Sequence, residues 1–262
     1  MRLVATDLDG TLLRSDGTTS GRTRSALARL EESGVPVVLV TGRPVRWMRD
    51  VAELAGHHGV AICSNGAVLY DLHDERILDT DLLDAAAAAA VVEVLRTTIE
   101  GIAFAVERAD GGFGHDEAYT ELIRWDQPDK SVAEAEELVA GRVVKLLGRH
   151  PTMAPDDFVA AARVAIGDLA TLTYSSGDGL LEISGIGVTK ASGLARYAEE
   201  RGVAAASVVA FGDMLNDIPM LTWAGRGVAV ANAHPDVLGI ADEVTSSNDD
   251  DGVAVWLEAN LI

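Results

Sequence analysis

The stretch Leu3-Val4-Ala5-Thr6-Asp7-Leu8-Asp9-Gly10-Thr11-Leu12-Leu13 decides how the chain is read. Four apolar or β-branched residues predict a short buried strand, and two aspartates follow directly at its carboxyl end. If the backbone stays extended there, Asp7 and Asp9 project from one face, and Gly10 permits a tight turn after them. Two neighbouring carboxylates repel unless a cation or a proton lies between them. A hard divalent ion such as Mg²⁺ suits an all-oxygen set of this kind. Turn or capping aspartates are the structural alternative for such a pair taken alone.

Working outward, the same punctuation recurs. Thr19–Ser33 has helical spacing at Ala26, Leu27 and Leu30 and is stopped by Gly34. Val35–Val40 predicts a second buried strand ending at Thr41-Gly42-Arg43, and Val45–Ala55 a helix. Val60–Cys63 predicts a third strand ending at Ser64-Asn65-Gly66. Ala67–Tyr70 and Arg76–Leu78 read as a hairpin. From about Asp81 the order becomes helix, strand, polar stretch, strand, helix, strand. Its strands are read at Ile102–Val106, Val143–Leu147, Leu169–Ser175 and Leu180–Ile183, the pattern of an α+β module. Alternation resumes with a helix over Lys190–Arg201, a strand over Val208–Phe211 and a helix over Ile218–Trp223. The expected fold is α/β: a doubly wound, parallel-sheet (Rossmann-like) core with an inserted α+β cap. The core comprises residues 1–81 and 188–262, the cap residues 82–187.

Polar residues gather just beyond the predicted strand ends: Asp7 and Asp9, Thr41, Ser64 and Asn65, then Asp213, Asn216 and Asp217. Ligands of open parallel sheets bind outside that edge. Thr41 offers a hydroxyl and Gly42 a backbone N–H at a helix start, a ready phosphate site. Lys190 opens another helix and adds a point positive charge, although a lone lysine after a strand is ordinarily a surface residue.

Composition narrows the partners. The 262 residues carry 21 Lys and Arg against 41 Asp and Glu, a formal charge of -20, so nucleic acid and anionic membranes are not expected partners. The single cysteine, Cys63, permits no intrachain disulfide and fits a reducing compartment. No apolar run is long enough for a span, and the first residues lack a leader pattern; the expectation is a cytoplasmic monomer or small homo-oligomer. Gly185–Lys190 lacks nucleotide-loop spacing, Gly111–Gly114 reads as a flexible loop, and Ser246–Asp251 as a solvated acidic turn. The histidines, His57 and His58 among them, show no zinc spacing.

Taken together, Asp7-Leu8-Asp9-Gly10-Thr11-Leu12-Leu13, Thr41-Gly42-Arg43, Lys190 and Gly212-Asp213-Met214-Leu215-Asn216-Asp217 resemble the four motifs of the haloacid dehalogenase-like hydrolase superfamily. The insertion between the second and third motifs resembles the Cof-type branch, mostly sugar-phosphate phosphatases. Ser64-Asn65-Gly66-Ala67 and Gly227–Ala233 are similar to that branch as well. The resemblance implies Asp7 as nucleophile and Asp9 as general acid and base. It implies Mg²⁺ held by Asp7, the Asp9 backbone carbonyl and Asp213, with Asn216 and Asp217 behind it. Thr41, Gly42 and Lys190 would hold the phosphoryl oxygens of a small phosphorylated metabolite. Arg43, Asn65 and Asn216, and Arg124 and Lys145 in the cap, are candidate substrate contacts. A phosphomutase of the same superfamily is the nearest alternative. A phospho-Asp signalling module is the alternative from another class; such modules are far shorter and lack an acid two residues after the nucleophile.

Overall fold

The computed structural model describes residues 1–55, 59–123, 130–174 and 177–262. These form two compact units, Met1–Asp79 with Thr189–Ile262, and Thr80–Val188. His57, His58, Arg124 and Ser175 lie outside the described residues.

The first unit is built on β1 (Leu3–Thr6), α1 (Gly21–Glu32), β2 (Val37–Val40), α2 (Met48–Ala55), β3 (Val60–Cys63), β4 (Val68–Asp71) and β5 (Arg76–Thr80). The chain then passes through the second unit: α3 (Ala85–Thr98), β6 (Ala103–Arg108), β7 (Phe113–His115), β8 (Lys130–Val132), α4 (Ala135–Val139), β9 (Val143–Arg149), α5 (Pro155–Ile166), β10 (Thr171–Thr173) and β11 (Leu181–Ser184). It returns with α6 (Lys190–Glu200), β12 (Val208–Gly212), α7 (Ile218–Trp223), β13 (Arg226–Val230), α8 (Pro235–Ile240), β14 (Glu243–Thr245) and α9 (Gly252–Asn260).

The core sheet runs β14-β13-β12-β1-β2-β3-β4-β5, with β14 through β3 parallel and β4 antiparallel to β3. Strands β1, β2, β3 and β12 are buried at every position, as expected of a parallel sheet covered on both faces. From β1 the chain winds outward to β2 and β3, then restarts on the other side at β12. β1 is therefore the topological switch point, where α/β sheets open a crevice beyond their strand ends. Local chemistry sets the first crossover. Ser20 caps α1 by accepting from the backbone N of Thr23 at 3.0 Å, and Ala26, Leu27 and Leu30 are its buried stripe, as the spacing predicted.

The second unit has its own six-stranded sheet, β10-β11-β9-β6-β7-β8. Alternate residues divide its two faces. Phe104, Val106, Leu146, Leu181 and Ile183 pack with Val91, Val92 and Leu95 of α3 and Phe158, Ala162 and Ile166 of α5. Ala103, Ala105 and Leu147 pack with Phe113, Tyr119 and Leu180 instead.

Two local expectations are corrected. The Gly111–Gly114 stretch is not simply a loop, because Phe113–His115 is a buried strand. Its Gly114 lies so close to its neighbours that a Cβ would stand 2.8 Å from the side chains of Leu138 and Ser131. The acidic turn Ser246–Asp251 is tied inward: Asn248 is buried and donates to the carbonyl of Leu13 at 2.9 Å, and Asp251 accepts from Arg14 at 2.9 Å. Lys145, a candidate substrate contact, is buried on β9 and donates to Glu182 on β11 at 2.7 Å, a structural ion pair.

Candidate active site

Asp7 follows β1 directly, and its backbone N donates to the carbonyl of Phe211 on β12 at 3.0 Å. The neighbouring strand ends supply Thr41 after β2 and Asp213 after β12, so the sheet order brings together residues more than 200 positions apart. Asp7, Asp213 and Asp217 each present a carboxylate oxygen within 4.8 Å of the others, and all three are buried. Lys190, the first residue of α6 and only 2% exposed, lies among them. Its Nζ donates to Asp7 Oδ1 at 2.5 Å and to Asp217 Oδ1 at 2.6 Å. Asp217 is fixed from its other oxygen, which accepts from the backbone N of Asp213 at 3.1 Å and of Met214 at 3.0 Å. Thr11 donates to Asp213 Oδ1 at 2.7 Å.

The electrostatics follow from burial. Loss of water pushes the Asp7 carboxyl well above its ordinary range, with Lys190 opposing and Asp217 and Asp213 adding to the rise. Burial likewise pushes Asp213 up to about 6, against the Thr11 hydrogen bond. Burial disfavours the Lys190 ammonium, but Asp217 and Asp7 together hold it above its ordinary value. One ammonium among three ionised carboxylates leaves two negative charges in excess. A hard divalent cation matches both that surplus and the all-oxygen donor set, so the residues present fit Mg²⁺.

Two glycines allow these groups to approach. Gly10 has φ +80°, and a Cβ there would stand 2.5 Å from Asp213 Oδ2. At Gly212 a Cβ would stand 2.5 Å from the Cβ of Asp217.

The other expected residues are distributed around this centre. β1 ends at Thr6, and the chain turns through residues 8–12 rather than staying extended. As a result the Asp9 side chain is 57% exposed and pairs with Arg43 through two hydrogen bonds, of 2.8 and 2.5 Å. The clustered carboxylates are therefore those of residues 7, 213 and 217, and Asp217, expected behind the metal, is among them. Thr41 is buried, and its hydroxyl accepts from the backbone N of Arg43 at 3.0 Å. Thr41 and Gly42 precede a short 3-10 turn, Val45–Trp47, and not the expected first turn of a helix. Asn216 Nδ2 donates to Asn65 Oδ1 at 3.1 Å. Thr11, to which no role was assigned from sequence, proves to hold Asp213, and Asn232 donates to the Gly10 carbonyl at 2.8 Å. Their presence inside motif segments is the only signal the sequence offered.

A family model of haloacid dehalogenase-like hydrolases matches residues 4–257. Pyridoxal phosphate phosphatase YbhA of Escherichia coli (strain K12) is 30% identical over 100% of this chain and 99% of its own length. The 5-amino-6-(5-phospho-D-ribitylamino)uracil phosphatase YitU of Bacillus subtilis (strain 168) is 30% identical over 98% of this chain and 96% of its own. Among solved structures, a haloacid dehalogenase-like hydrolase from B. subtilis superposes with a TM-score of 0.82 at 27% identity, covering 100% of both chains. The chain belongs to the haloacid dehalogenase-like hydrolase family and is an enzyme of its phosphatase class.

Proposed function

We propose that this enzyme is a Mg²⁺-dependent phosphomonoester hydrolase that acts on small phosphorylated metabolites, sugar phosphates foremost, through an aspartyl-phosphate on Asp7. The observation that carries this reading is the buried pairing of Asp7 with Lys190 at the switch point of the sheet, 2.5 Å apart and beside Asp213 and Asp217. Asp7, Asp213 and the Asp9 backbone carbonyl would hold the cation, with Asn216 and Asp217 supporting it. When bound, the ion neutralises the charge that otherwise keeps a carboxylate from a phosphate dianion.

In the first displacement an Asp7 oxygen bonds to phosphorus as the bond to the leaving oxygen breaks, and Asp9 gives that oxygen its proton. In the second, Asp9 takes a proton from water, the water oxygen bonds to phosphorus, and Asp7 is released with inorganic phosphate. Lys190, Thr41 and the Gly42 N–H hold the phosphoryl oxygens. Asp9 suits the acid-base role because its carboxylate is half in solvent and can exchange protons with it. Its pairing with Arg43 supplies an orienting partner, and Arg43 is then poised beside the leaving group. The division into a catalytic core of 1–81 and 188–262 and a cap of 82–187, and a cytoplasmic location, belong to the same reading.

The named substrates of the two relatives above are phosphomonoesters of small metabolites, which supports the substrate class. Among the described residues no helix is long and apolar enough to cross a membrane. A phosphate-release screen with Mg²⁺ over sugar phosphates, nucleotides, pyridoxal phosphate and flavin precursors tests the proposal. Release from at least one class, abolished by a chelator, is expected. An isomerised sugar phosphate with no free phosphate would identify a phosphomutase.

A further inference from the structure

The turn that joins β3 to β4 holds three successive residues in the left-handed region: Ser64 at φ 50°, Asn65 at φ 56° and Gly66 at φ 108°. Two of the three carry side chains, and such strain persists only where the surroundings impose it. Gly66 has a clear cause. A Cβ there would stand 2.0 Å from the carbonyl oxygen of Thr189, the residue that caps α6 immediately before Lys190. The turn is thus in backbone contact with the start of the helix that carries the site's lysine.

Asn65 needs a different explanation. A hairpin link ordinarily exposes its polar residues, yet Asn65 is 0% exposed. Its backbone N donates to the carbonyl of Thr41 at 3.0 Å, which ties the turn to the end of β2. Its Oδ1 accepts from Asn216 Nδ2 at 3.1 Å. Asn216, between Asp213 and Asp217 in sequence, is itself buried, and its Oδ1 has no hydrogen-bond partner among the described residues. A buried amide oxygen left without a donor is uncommon and needs an explanation. With one end of the amide already held, the other is a fixed acceptor for an O–H that arrives with the ligand, either a water or a hydroxyl.

We propose that Asn65 is a positioning residue that acts through Asn216: its Oδ1, aimed by the left-handed backbone, fixes the Asn216 amide and leaves the Asn216 oxygen as acceptor for a ligand-borne hydroxyl or water. This rests on the phosphatase reading, in which Asn216 belongs to the site. It turns Asn65 from a candidate substrate contact into the support of one.

The experiment is a double-mutant cycle on the full chain with p-nitrophenyl phosphate and Mg²⁺, comparing Asn65→Gly, Asn216→Ala and the double variant, with thermal melting of each. Glycine adopts φ 56° without strain, so Asn65→Gly keeps the backbone turn, and any fall in its melting point reports the lost buried side chain and its hydrogen bond. Its kcat/KM falls about tenfold, the worth of one buried hydrogen bond. Asn216→Ala falls at least as far, and the double variant falls no further than Asn216→Ala alone. Additive losses, or wild-type kcat/KM in Asn65→Gly, overturn the proposal. So does a lower melting point with unchanged kinetics per folded molecule, which would make Asn65 structural only. Asp7→Asn is measured beside them. If it is inactive while Asn65→Gly is fully active, only this inference fails; if Asp7→Asn is active, the phosphatase reading fails and takes the inference with it.

Discussion

Lys190 and Asp7 lie 183 positions apart in the sequence and meet as a buried ion pair 2.5 Å long. The same ammonium reaches Asp217 at 2.6 Å, so one cation is shared by two buried carboxylates. Lys190→Met removes that charge and leaves Asp7 and Asp217 facing each other in a dry site. The expected result is loss of at least about 100-fold in kcat/KM. Breaking a buried pair from one side also lowers stability by about 3–5 kcal/mol. Urea unfolding together with steady-state kinetics checks both, and an unchanged midpoint would show that the pair is not buried as described.

Gly10→Ala tests how closely the Asp7–Asp9 turn approaches Asp213. The added Cβ would lie 2.5 Å from Asp213 Oδ2, at a φ of +80° that alanine tolerates poorly. Asp213 must move, and Mg²⁺ affinity, read by calorimetry, should fall while overall secondary structure persists. Unaltered affinity would separate Asp213 from the metal.

Asp213 also gives a pH dependence with a defined sign. Its carboxyl is raised from an ordinary value of 3.8 to about 6, so in chelator the folded state binds this proton more tightly than the unfolded state. The stabilising contribution of the protonated group is full below pH 3.8 and is lost as the pH rises through 6. Asp213→Asn carries no such charge and keeps an oxygen for the Thr11 hydroxyl. In chelator, the variant should therefore melt higher than the wild type at pH 7, with the gap closing towards pH 4. Adding Mg²⁺ at pH 7 should raise the wild type more than the variant, and Ca²⁺ should be a poor substitute in turnover because of its larger, looser shell. A gap that does not vary with pH would contradict the assignment.

Asp9→Asn separates the acid-base group from the nucleophile. A sugar alkoxide needs a proton as it leaves, and a nitrophenolate does not, so sugar-phosphate turnover should fall by about 100-fold or more. Nitrophenyl-phosphate turnover should fall less and show a burst as dephosphorylation becomes limiting. Equal losses on both substrates without a burst would mean that the Asp9–Arg43 pair serves only to shape the loop.

The legible part of the fold was the part written in short apolar runs. Leu3–Thr6, Val37–Val40, Val60–Cys63 and Val208–Gly212 are buried throughout, and their ends announce Asp7, Thr41, Ser64 and Asp213. Side-chain direction was not legible. Asp9 lies only two residues from Asp7, yet the chain turns after Thr6 and sends its carboxylate to Arg43, 34 positions away. Lys145 reads as a candidate substrate contact until Glu182, 37 residues on, is seen beside it across the β9–β11 pairing. Phe113–His115 was masked by the glycines before and within it, of which Gly114 serves close packing, a property that composition does not express. Helix α8 was not anticipated either, since six residues starting at a proline give too short a period to detect.

The covalent step on Asp7 is the centre of the account, and it is tested most directly by finding the phosphoryl group. Asp9→Asn enzyme, mixed with nitrophenyl phosphate and Mg²⁺ and quenched in acid during the burst, is digested and analysed by mass spectrometry. A covalent intermediate on Asp7 predicts one phosphoryl group on the peptide containing Asp7, absent when Asp7→Asn is added to the same protein. Full turnover by Asp7→Asn, or a phosphoryl group on any other residue, would contradict it.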